Sequence, residues 1–254
     1  MVEIFFVLIR FLHSVMVWSV AILSFIIVGN ILLPFMLLFV RNQKRLFQIV
    51  FSFWGRIMLL SAGISLQAEG MENVPNSGSL LIIPNHQGHF DYPVLFSLIP
   101  RHFIFMIKKE LLDVPFFGKT LKIAGYIPVD REGRMSVHRA MEKVAQALER
   151  GKAVVVFPEG TRTWDGKIGE FKVGAFLLAI KLGVPILPVA ISGSFGIMRR
   201  HTWQIYPKRV KVKIGEVIKV EKHENVGHEQ LKKIMQQVNQ QIESLHAQLN
   251  LPAE

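Results

Sequence analysis

The sequence predicts an α/β protein: a mixed sheet covered by helices on both faces, with an N-terminal hydrophobic helical membrane anchor. Near Ser79 the pattern changes, and short apolar, β-branched runs then alternate with helical patterns, as in sheets that are covered on both faces. Before that point, no charged residue occurs from Phe11 through Val40. Since about 20 apolar residues cross a bilayer, this run is long enough to enter one. We therefore expect an anchor over residues 1–66 and an α/β domain over residues 67–254.

The anchor region contains two apolar stretches, which are separated by the basic cluster of residues 41–45. The first stretch includes Asn30 and Pro34, which predict a kink, and the second, residues 46–66, is interrupted by Arg56. Either both stretches span the membrane, or they form a helical pair that dips into one leaflet. The second arrangement avoids the cost of placing a charge inside a spanning helix. The unbroken length of the first stretch disfavours a third interpretation, a buried hairpin of a soluble protein. Basic residues favour the cytoplasmic side, so we expect the rest of the chain there.

Six strands and four helices are predicted after the anchor. The predicted strands are 80–83, 103–107, 125–129, 153–157, 186–191 and 210–220, and the predicted helices are 92–99, 135–150, 174–182 and 229–249. Gly151 and Gly183 end two of these helices. The last helix carries its apolar residues on one face, so we expect it to pack against the sheet.

The charge of the chain limits the classes of partner. Lysine and arginine number 30 against 19 acidic residues, which gives a net charge of +11, and half of the residues are hydrophobic. A basic surface suits nucleic acid, an anionic membrane or an anionic substrate. The apolar excess favours the last two, so no nucleic-acid partner is expected. The chain has no cysteine, which excludes disulfides, thiolate metal sites and a cysteine nucleophile.

A candidate catalytic pair follows the first predicted strand of the domain. His86 and Asp91 lie in the segment Asn-His-Gln-Gly-His-Phe-Asp, directly after the apolar run that ends at Pro84. Loops at the carboxyl ends of strands are where α/β proteins build their sites. A histidine there can serve as a general base if a carboxylate fixes its tautomer and stabilises the imidazolium. The spacing alone leaves a histidine that is hydrogen-bonded in a turn equally open, and we expect His89 to be structural or to line a pocket.

Two further segments carry positive charge at predicted strand ends. Phe-Pro-Glu-Gly-Thr-Arg, which ends at Arg162, combines a glycine turn with a planar guanidinium that suits a phosphate. Lys108 and Lys109 follow one predicted strand and Arg131 follows another, so they would add positive potential to a shared cleft. Taken alone, each of these segments is better explained as a surface turn or a solvated charge. Ser-Gly-Ser-Phe-Gly, which ends at Gly196, lacks the nucleophile elbow of serine hydrolases.

Taken together and in this order, the segments resemble the glycerolipid acyltransferase family, specifically its bacterial 1-acylglycerol-3-phosphate acyltransferases. The resemblance covers roughly residues 78–192. The Asn-His frame with its aspartate and the Phe-Pro-Glu-Gly-Thr-Arg segment match intact, whereas Gly88 stands where many members have serine. In the segment that often reads Gly-x-x-Phe-Ile-Asp-Arg, this chain keeps the glycine, aspartate and arginine and departs at Pro128 and Val129.

The resemblance implies transfer of a fatty acyl group from acyl-CoA or acyl carrier protein to the sn-2 hydroxyl of lysophosphatidate, giving phosphatidate. It implies His86 as the general base and Asp91 as the residue that orients it. The implied substrate-binding residues are Glu159, Gly160, Thr161, Arg162, Lys108, Lys109 and Arg131. It implies no metal and no cofactor beyond the thioester co-substrate. The expected location is the inner cell membrane, with the catalytic domain on the cytoplasmic face.

Three alternatives remain open at the level of the sequence. The acceptor could be glycerol 3-phosphate or another lysophospholipid. A serine hydrolase built on the Ser-Gly-Ser-Phe-Gly segment is a weak alternative. A non-catalytic membrane protein that binds anionic lipids would account for the charge and the anchor, but not for the pairing of His86 with Asp91.

Overall fold

The computed structural model describes residues 2–114, 117–130, 134–199 and 201–249. Seven strands form one sheet in the order β1–β7–β6–β2–β5–β3–β4. β6 and β7 pair antiparallel, and all other neighbouring strands pair parallel, so the sheet is mixed as predicted. The strands are β1 (Ser65–Glu69), β2 (Leu80–Pro84), β3 (Phe103–Lys108), β4 (Ile127–Val129), β5 (Ala153–Val155), β6 (Ile186–Ser192) and β7 (Arg209–Ile214).

Eight α-helices accompany the strands in the described part of the chain. They are α1 (Val2–Ser24), α2 (Leu33–Phe39), α3 (Gln43–Ser61), α4 (Asp91–Leu98), α5 (Phe117–Ala124), α6 (Arg134–Glu149), α7 (Gly174–Leu182) and α8 (His228–Leu249). A π-helical segment, Phe25–Leu32, joins α1 to α2 and lies just before Pro34, where the sequence predicts a kink. Short 3-10 turns follow β1, β3 and β6.

Strand β3 shows that both faces of the sheet are covered. The ring of Phe96, from α4, stacks on Phe103 and is tilted against Phe105, so these two strand residues point towards α4. Ile104 lies between them, points to the opposite face because strand side chains alternate, and is 1% exposed. Helices α6, α7 and α8 pack against one another and against strands β4 to β7. The predicted fold class is therefore confirmed.

Helix α1 is the candidate membrane anchor. Among the described residues it supplies the one helix, over Glu3–Val28, that is long and apolar enough to cross a membrane. Its side chains also bind the rest of the chain. Ser14 Oγ accepts the backbone N–H of Ile205, and Trp18 Nε1 donates to the carbonyl of Trp203. The helix thus lies against the loop that precedes β7.

The second apolar stretch forms α3 and packs on the sheet domain. Its buried side chains include Phe47 and Met58. At Gly55, a Cβ atom would lie 2.6 Å from the carbonyl oxygen of Pro93 in α4, so the two helices approach each other as closely as their backbones allow. The stretch therefore packs on the domain through one face, with Ile49 and Phe53 exposed on its outer side, and the expectation that it spans the membrane or dips into one leaflet stays a prediction.

The sequence missed strand β1, at the edge of the sheet. Its residues, Ser-Leu-Gln-Ala-Glu, alternate between exposed and half-buried, so they lack the apolar run that identifies the central strands. The strand pairs in parallel with β7, and the carboxylate of Glu69 lies 2.7 Å from the ammonium group of Lys213. This strand runs across the expected boundary at residues 66 and 67, and the division into anchor and domain at that point stays a proposal.

Three other predicted strands differ in their extent, and one of them, the predicted strand 153–157, ends earlier, at Val155. The predicted strand 125–129 begins later, because α5 ends there and Gly125 adopts a left-handed φ of 85° that closes the turn. The predicted strand 210–220 is shorter, since β7 ends at Ile214 and the N–H of Gly215 turns to the carbonyl of Pro188. Beyond it, Ile218 makes an isolated bridge to β6.

Candidate functional site

The candidate site lies at the carboxyl edge of the parallel strands. β2 and β5 are neighbours and run in the same direction, so residues 85–90 after β2 lie beside residues 156–162 after β5. The backbone N–H of Thr163 donates to the carbonyl of His86 over 2.9 Å and joins the two segments. The topology therefore brings together the two segments that the sequence singled out.

His86 and Asp91 form a hydrogen-bonded pair. His86 precedes α4, Asp91 is the first residue of that helix, and the turn between them brings Nδ1 of the imidazole within 2.7 Å of Oδ2 of the carboxylate. The backbone N–H groups of Gln87 and Gly88 donate to the same oxygen over 2.8 and 2.9 Å. His86 is 4% exposed and Asp91 is fully buried. The carboxylate accepts a hydrogen from Nδ1, which leaves Nε2 of the imidazole to accept a proton.

Asn85 fixes the loop of the pair to the neighbouring strand. Its Nδ2 donates to the carbonyl of Ile191 over 2.9 Å, and its Oδ1 accepts the N–H of the same residue over 2.7 Å. Asn85 is 1% exposed, so both hydrogen bonds are shielded from water. The Asn-His sequence therefore combines a residue that positions the backbone with one that presents an imidazole.

Glu159 fixes the same loop from the other side. Its Oε1 accepts the backbone N–H of His86 over 2.8 Å, and its Oε2 accepts that of Gly169 over 3.1 Å. Burial raises the pKa of Glu159, and the two backbone hydrogen bonds oppose this effect. Glu159 thus braces the backbone of the site with a buried side chain.

An apolar cavity of about 250 Å³ adjoins the pair, and His86 forms part of its wall. The walls come from α4, β3, α6 and the segment after β5, and they include Tyr92, Phe105, Met106, Val137 and Met141. Such a space suits an unbranched hydrocarbon chain better than a polar metabolite. The imidazole therefore lies where an apolar substrate would end.

Lys172 contributes an ammonium group to the wall of the same cavity. Its backbone N–H donates to the carbonyl of Pro158 over 2.9 Å. Gly160 adopts a left-handed φ of 70°, and a Cβ atom there would lie 2.6 Å from Lys172 Nζ. The glycine thus leaves room for the ammonium group over the turn, on the same cavity as His86.

A family model described as Acyltransferase matches residues 65–192, which is half of the chain. This chain belongs to the acyltransferase family. The match begins at the first residue of β1 and ends at the last residue of β6, so it takes in the whole of the site described above.

Curated relatives of this acyltransferase carry one recurring name. A 1-acyl-sn-glycerol-3-phosphate acyltransferase from Brassica napus, chloroplastic, is 32% identical over 65% of the chain and 48% of its own length. The protein of that name from Pseudomonas aeruginosa is 31% identical over 67% of the chain and 65% of its own length. The chain thus spans about half of the plant relative and less than two thirds of the bacterial one.

One solved structure shares the fold of this acyltransferase. The crystal structure of a 1-acyl-sn-glycerophosphate acyltransferase from Thermotoga maritima superposes with a TM-score of 0.78 and covers 94% of this chain and 98% of its own. The two sequences are 24% identical in the aligned region. The similarity supports the mixed sheet and the helices around it.

The other residues that we expected to bind the substrate lie on separate turns, and most of them are exposed. Thr161 is exposed and Arg162 is half-buried, on the turn after Gly160. Lys108 ends β3, is 66% exposed and lies 3.3 Å from the carboxylate of Glu110. Lys109 is exposed and begins the turn after β3. Arg131 lies outside the described residues.

Two residues of the site escaped the sequence analysis. Phe157, read as the end of a strand, stacks on the imidazole of His86 with the ring centroids 3.9 Å apart. Lys172 follows β5 by a long connection and carries no local signal, since a lysine beside Val173 and Gly174 resembles any solvated charge before a helix. Its ammonium group lies over the turn at Gly160, a neighbour that only the fold reveals.

Proposed function

We propose that this acyltransferase moves a fatty acyl group from a thioester donor to the sn-2 hydroxyl of 1-acylglycerol 3-phosphate, giving phosphatidate. The observation that carries the proposal is the buried pair of His86 and Asp91, whose imidazole lines an apolar cavity. A general base and an acyl-binding space are the two parts that the reaction requires. The names of the curated relatives support the acceptor.

The transfer proceeds directly between the substrates. Nε2 of His86 takes the proton from the acceptor hydroxyl as its oxygen bonds to the thioester carbonyl carbon. Asp91 holds Nδ1 and stabilises the imidazolium that forms. The tetrahedral intermediate then breaks its carbon–sulfur bond, the thiolate leaves, and the imidazolium passes its proton to the thiolate or to water. The acyl group ends on the acceptor oxygen, and His86 returns to its neutral form.

The cations around the cavity would bind the phosphate of the acceptor. Arg162 and Lys172 are the best placed, because the first lies on the turn after Gly160 and the second lines the cavity. Lys108, Lys109 and Arg131 would extend the positive potential outwards from the ends of β3 and β4. Glu159, Gly160 and Thr161 would hold the turn in the shape that presents Arg162 to the phosphate.

Acyl-CoA and acyl carrier protein are both candidate donors, since each is anionic and each carries its acyl group as a thioester. No metal or further cofactor takes part in the proposed steps. Membrane lipids would surround α1, with the sheet domain on the cytoplasmic face of the inner membrane. Protease protection of the full chain in inverted and right-side-out vesicles would test that orientation, since cleavage of the domain in inverted vesicles alone is expected.

The decisive experiment follows label from radiolabelled long-chain acyl-CoA into lipid, using the purified full chain in liposomes. Lysophosphatidate, glycerol 3-phosphate and a zwitterionic lysophospholipid are offered separately. We expect labelled phosphatidate with lysophosphatidate only. His86→Ala should lower kcat by at least about 100-fold, the usual contribution of a general base. His223→Ala, at a histidine whose side chain is 42% exposed and lies outside the cavity, serves as the matched control and should keep the parent rate.

Other outcomes point to the alternatives. Label in the product of glycerol 3-phosphate or of the zwitterionic acceptor would move the assignment to another acceptor. If no acceptor is labelled, acyl carrier protein replaces coenzyme A as the donor carrier. If neither donor gives a labelled product while the protein still binds anionic vesicles, the result would favour a lipid-binding membrane protein over an enzyme. Full activity of a folded His86→Ala protein would overturn the mechanism.

A further inference from the structure

The Ser-Gly-Ser-Phe-Gly segment has a place in the structure that a nucleophile could not occupy. β6 ends at Ser192, and Ser194 begins the 3-10 turn that follows. Ser194 is 1% exposed, so no substrate can reach its hydroxyl. The hydroxyl donates instead to Oδ1 of Asp91. The segment thus belongs to the catalytic pair rather than to a separate hydrolase site.

The two carboxylate oxygens of Asp91 have different partners. Oδ2 accepts Nδ1 of His86 and the N–H groups of Gln87 and Gly88. All three of these donors come from the loop that carries His86. Oδ1 accepts the hydroxyl of Ser194, which lies 103 residues further along the chain in the turn after β6. The orientation of the carboxylate is therefore set from two sides.

The backbone of Ser194 is fixed as firmly as its side chain. A Cβ atom at Gly88 would lie 2.8 Å from the carbonyl oxygen of Ser194, so a glycine is needed where the two loops meet. Three residues before Ser194, Ile191 exchanges two hydrogen bonds with the side chain of Asn85. The turn that carries the hydroxyl is thus fixed beside the loop of His86.

We propose that Ser194 is a positioning residue for acyl transfer, which acts on His86 through Asp91. Its hydroxyl holds the carboxylate in the plane that receives Nδ1. Without that donor, the carboxylate can rotate about its bond to Cβ, and the imidazole loses its fixed direction towards the cavity. The inference rests on the proposed function for its catalytic part, whereas the link from Ser194 to Asp91 and His86 is independent of it.

The test compares Ser194→Ala with Ser97→Ala in the purified full chain. Ser97 is also buried and lies in α4, the helix that begins with Asp91, but its hydroxyl donates within that helix to the carbonyl of Val94 over 2.8 Å. Each change deletes one buried hydroxyl, so their costs in stability should be similar. Only Ser194→Ala should lower kcat, by about 10-fold or more, with KM unchanged, because a misplaced base slows the chemical step.

A second readout does not depend on turnover. The Nδ1 hydrogen of His86 should give a low-field proton resonance, which is assigned by its loss in His86→Gln. We expect this resonance to shift or broaden in Ser194→Ala and to stay in place in Ser97→Ala. If the parent transfers no acyl group to any acceptor, the proposed function fails, and the resonance alone decides whether Ser194 positions the pair.

Two results would overturn the inference. The first is an unshifted resonance in Ser194→Ala together with a kcat equal to that of Ser97→Ala. The second is a fall in kcat that accompanies an equal rise in KM and leaves the resonance in place, because that pattern indicates a general loss of structure. Should Ser194→Ala fail to fold, Ser194→Cys keeps a weaker donor of similar size and should show the same changes in smaller measure.

Discussion

The ring of Phe157 lies face to face with the imidazole of His86, with centroids 3.9 Å apart and planes inclined by 23°. Tyr92 stands nearly perpendicular to both rings, with its centroid 5.8 Å from that of His86 and 5.5 Å from that of Phe157. The imidazole of His86, the proposed general base, is therefore held by two aromatic side chains as well as by Asp91. The hydrogen bond from Nδ1 to Asp91 alone would leave the imidazole free to tilt. The stacking on Phe157 therefore restricts where Nε2 points.

The first prediction concerns this stack. Phe157→Leu should lower kcat by about 10-fold with little change in KM, because small displacements of a catalytic group slow the chemical step. Steady-state kinetics and thermal unfolding measure the two effects. Phe171→Leu, at a buried ring that stacks on Phe176 away from the cavity, should cost similar stability and keep kcat. Equal kcat values for the two variants would show that the stack has no role in catalysis.

The second prediction concerns the ammonium group of Lys172, which we propose binds the phosphate of the acceptor. Lys172→Met should raise KM for lysophosphatidate by about 10-fold or more, since a hydrogen bond to a charged group contributes about 1.5–3 kcal/mol. Lys167 is an exposed lysine in the same connection, and its ammonium group lies 4.0 Å from the carboxylate of Asp165. Lys167→Met should leave KM for lysophosphatidate unchanged. A KM that responds equally to both changes would indicate a general effect of surface charge instead.

The third prediction follows from His102. Burial lowers the pKa of His102 to about 4, and the charges of Lys152, Lys44 and Arg101 act in the same direction. In the unfolded chain a histidine titrates near 6.5, so between these values the unfolded state binds more protons. The free energy of unfolding should therefore fall as the pH is lowered from about 6.5 to about 4, by up to about 3 kcal/mol.

Urea unfolding at several pH values tests this expectation. His102→Gln, which does not titrate in the range, should flatten the acid limb of stability against pH. His138→Gln changes a 72% exposed histidine and should leave the limb as it is in the parent. An unchanged limb in His102→Gln would assign the acid sensitivity to other groups.

The fourth prediction concerns a buried hydroxyl. Tyr126 is 4% exposed, and within the described part of the chain its Oη has no hydrogen-bond partner. Burial also raises the pKa of this phenol. Tyr126→Phe should keep or raise the melting temperature, because it deletes an unsatisfied polar group without deleting the ring. Tyr206→Phe removes a hydroxyl that donates to Gln204 over 3.0 Å and should lower it. A loss of stability in Tyr126→Phe as large as in Tyr206→Phe would contradict this view.

Sequence patterns predicted the central strands because β2, β5 and β6 are continuous apolar runs whose residues are buried on both faces. The edge strand β1 is half polar, and its place depends on pairing with β7, about 140 residues later in the chain. No local pattern carries that information. The same reason explains why the second apolar stretch was open to a membrane role, since its partner α4 is known only from the fold.

The pairing of His86 with Asp91 was open to prediction because the two residues lie on either side of one turn. The brace from Glu159 spans 73 residues, and its acceptor role is set by the loop geometry after β5. Lys172 likewise meets Gly160 only through the path of the chain after β5. Residue types at a site can thus be recognised in the sequence, whereas the partners of each side chain follow from the crossing of distant strands.

The attachment of α1 has a consequence for how a lipid reaches the catalytic pair. Ser14 and Trp18 lie one helical turn apart and bind the same loop at Ile205 and Trp203. The helix is therefore held against the domain at two points. If α1 is inserted as proposed, it would hold the cleft at a set height relative to the hydrocarbon. The proposed lysolipid acceptor would then have to rise by that height before its hydroxyl meets His86. Turnover should accordingly vary with the thickness of the host bilayer even where the intrinsic chemistry is unchanged.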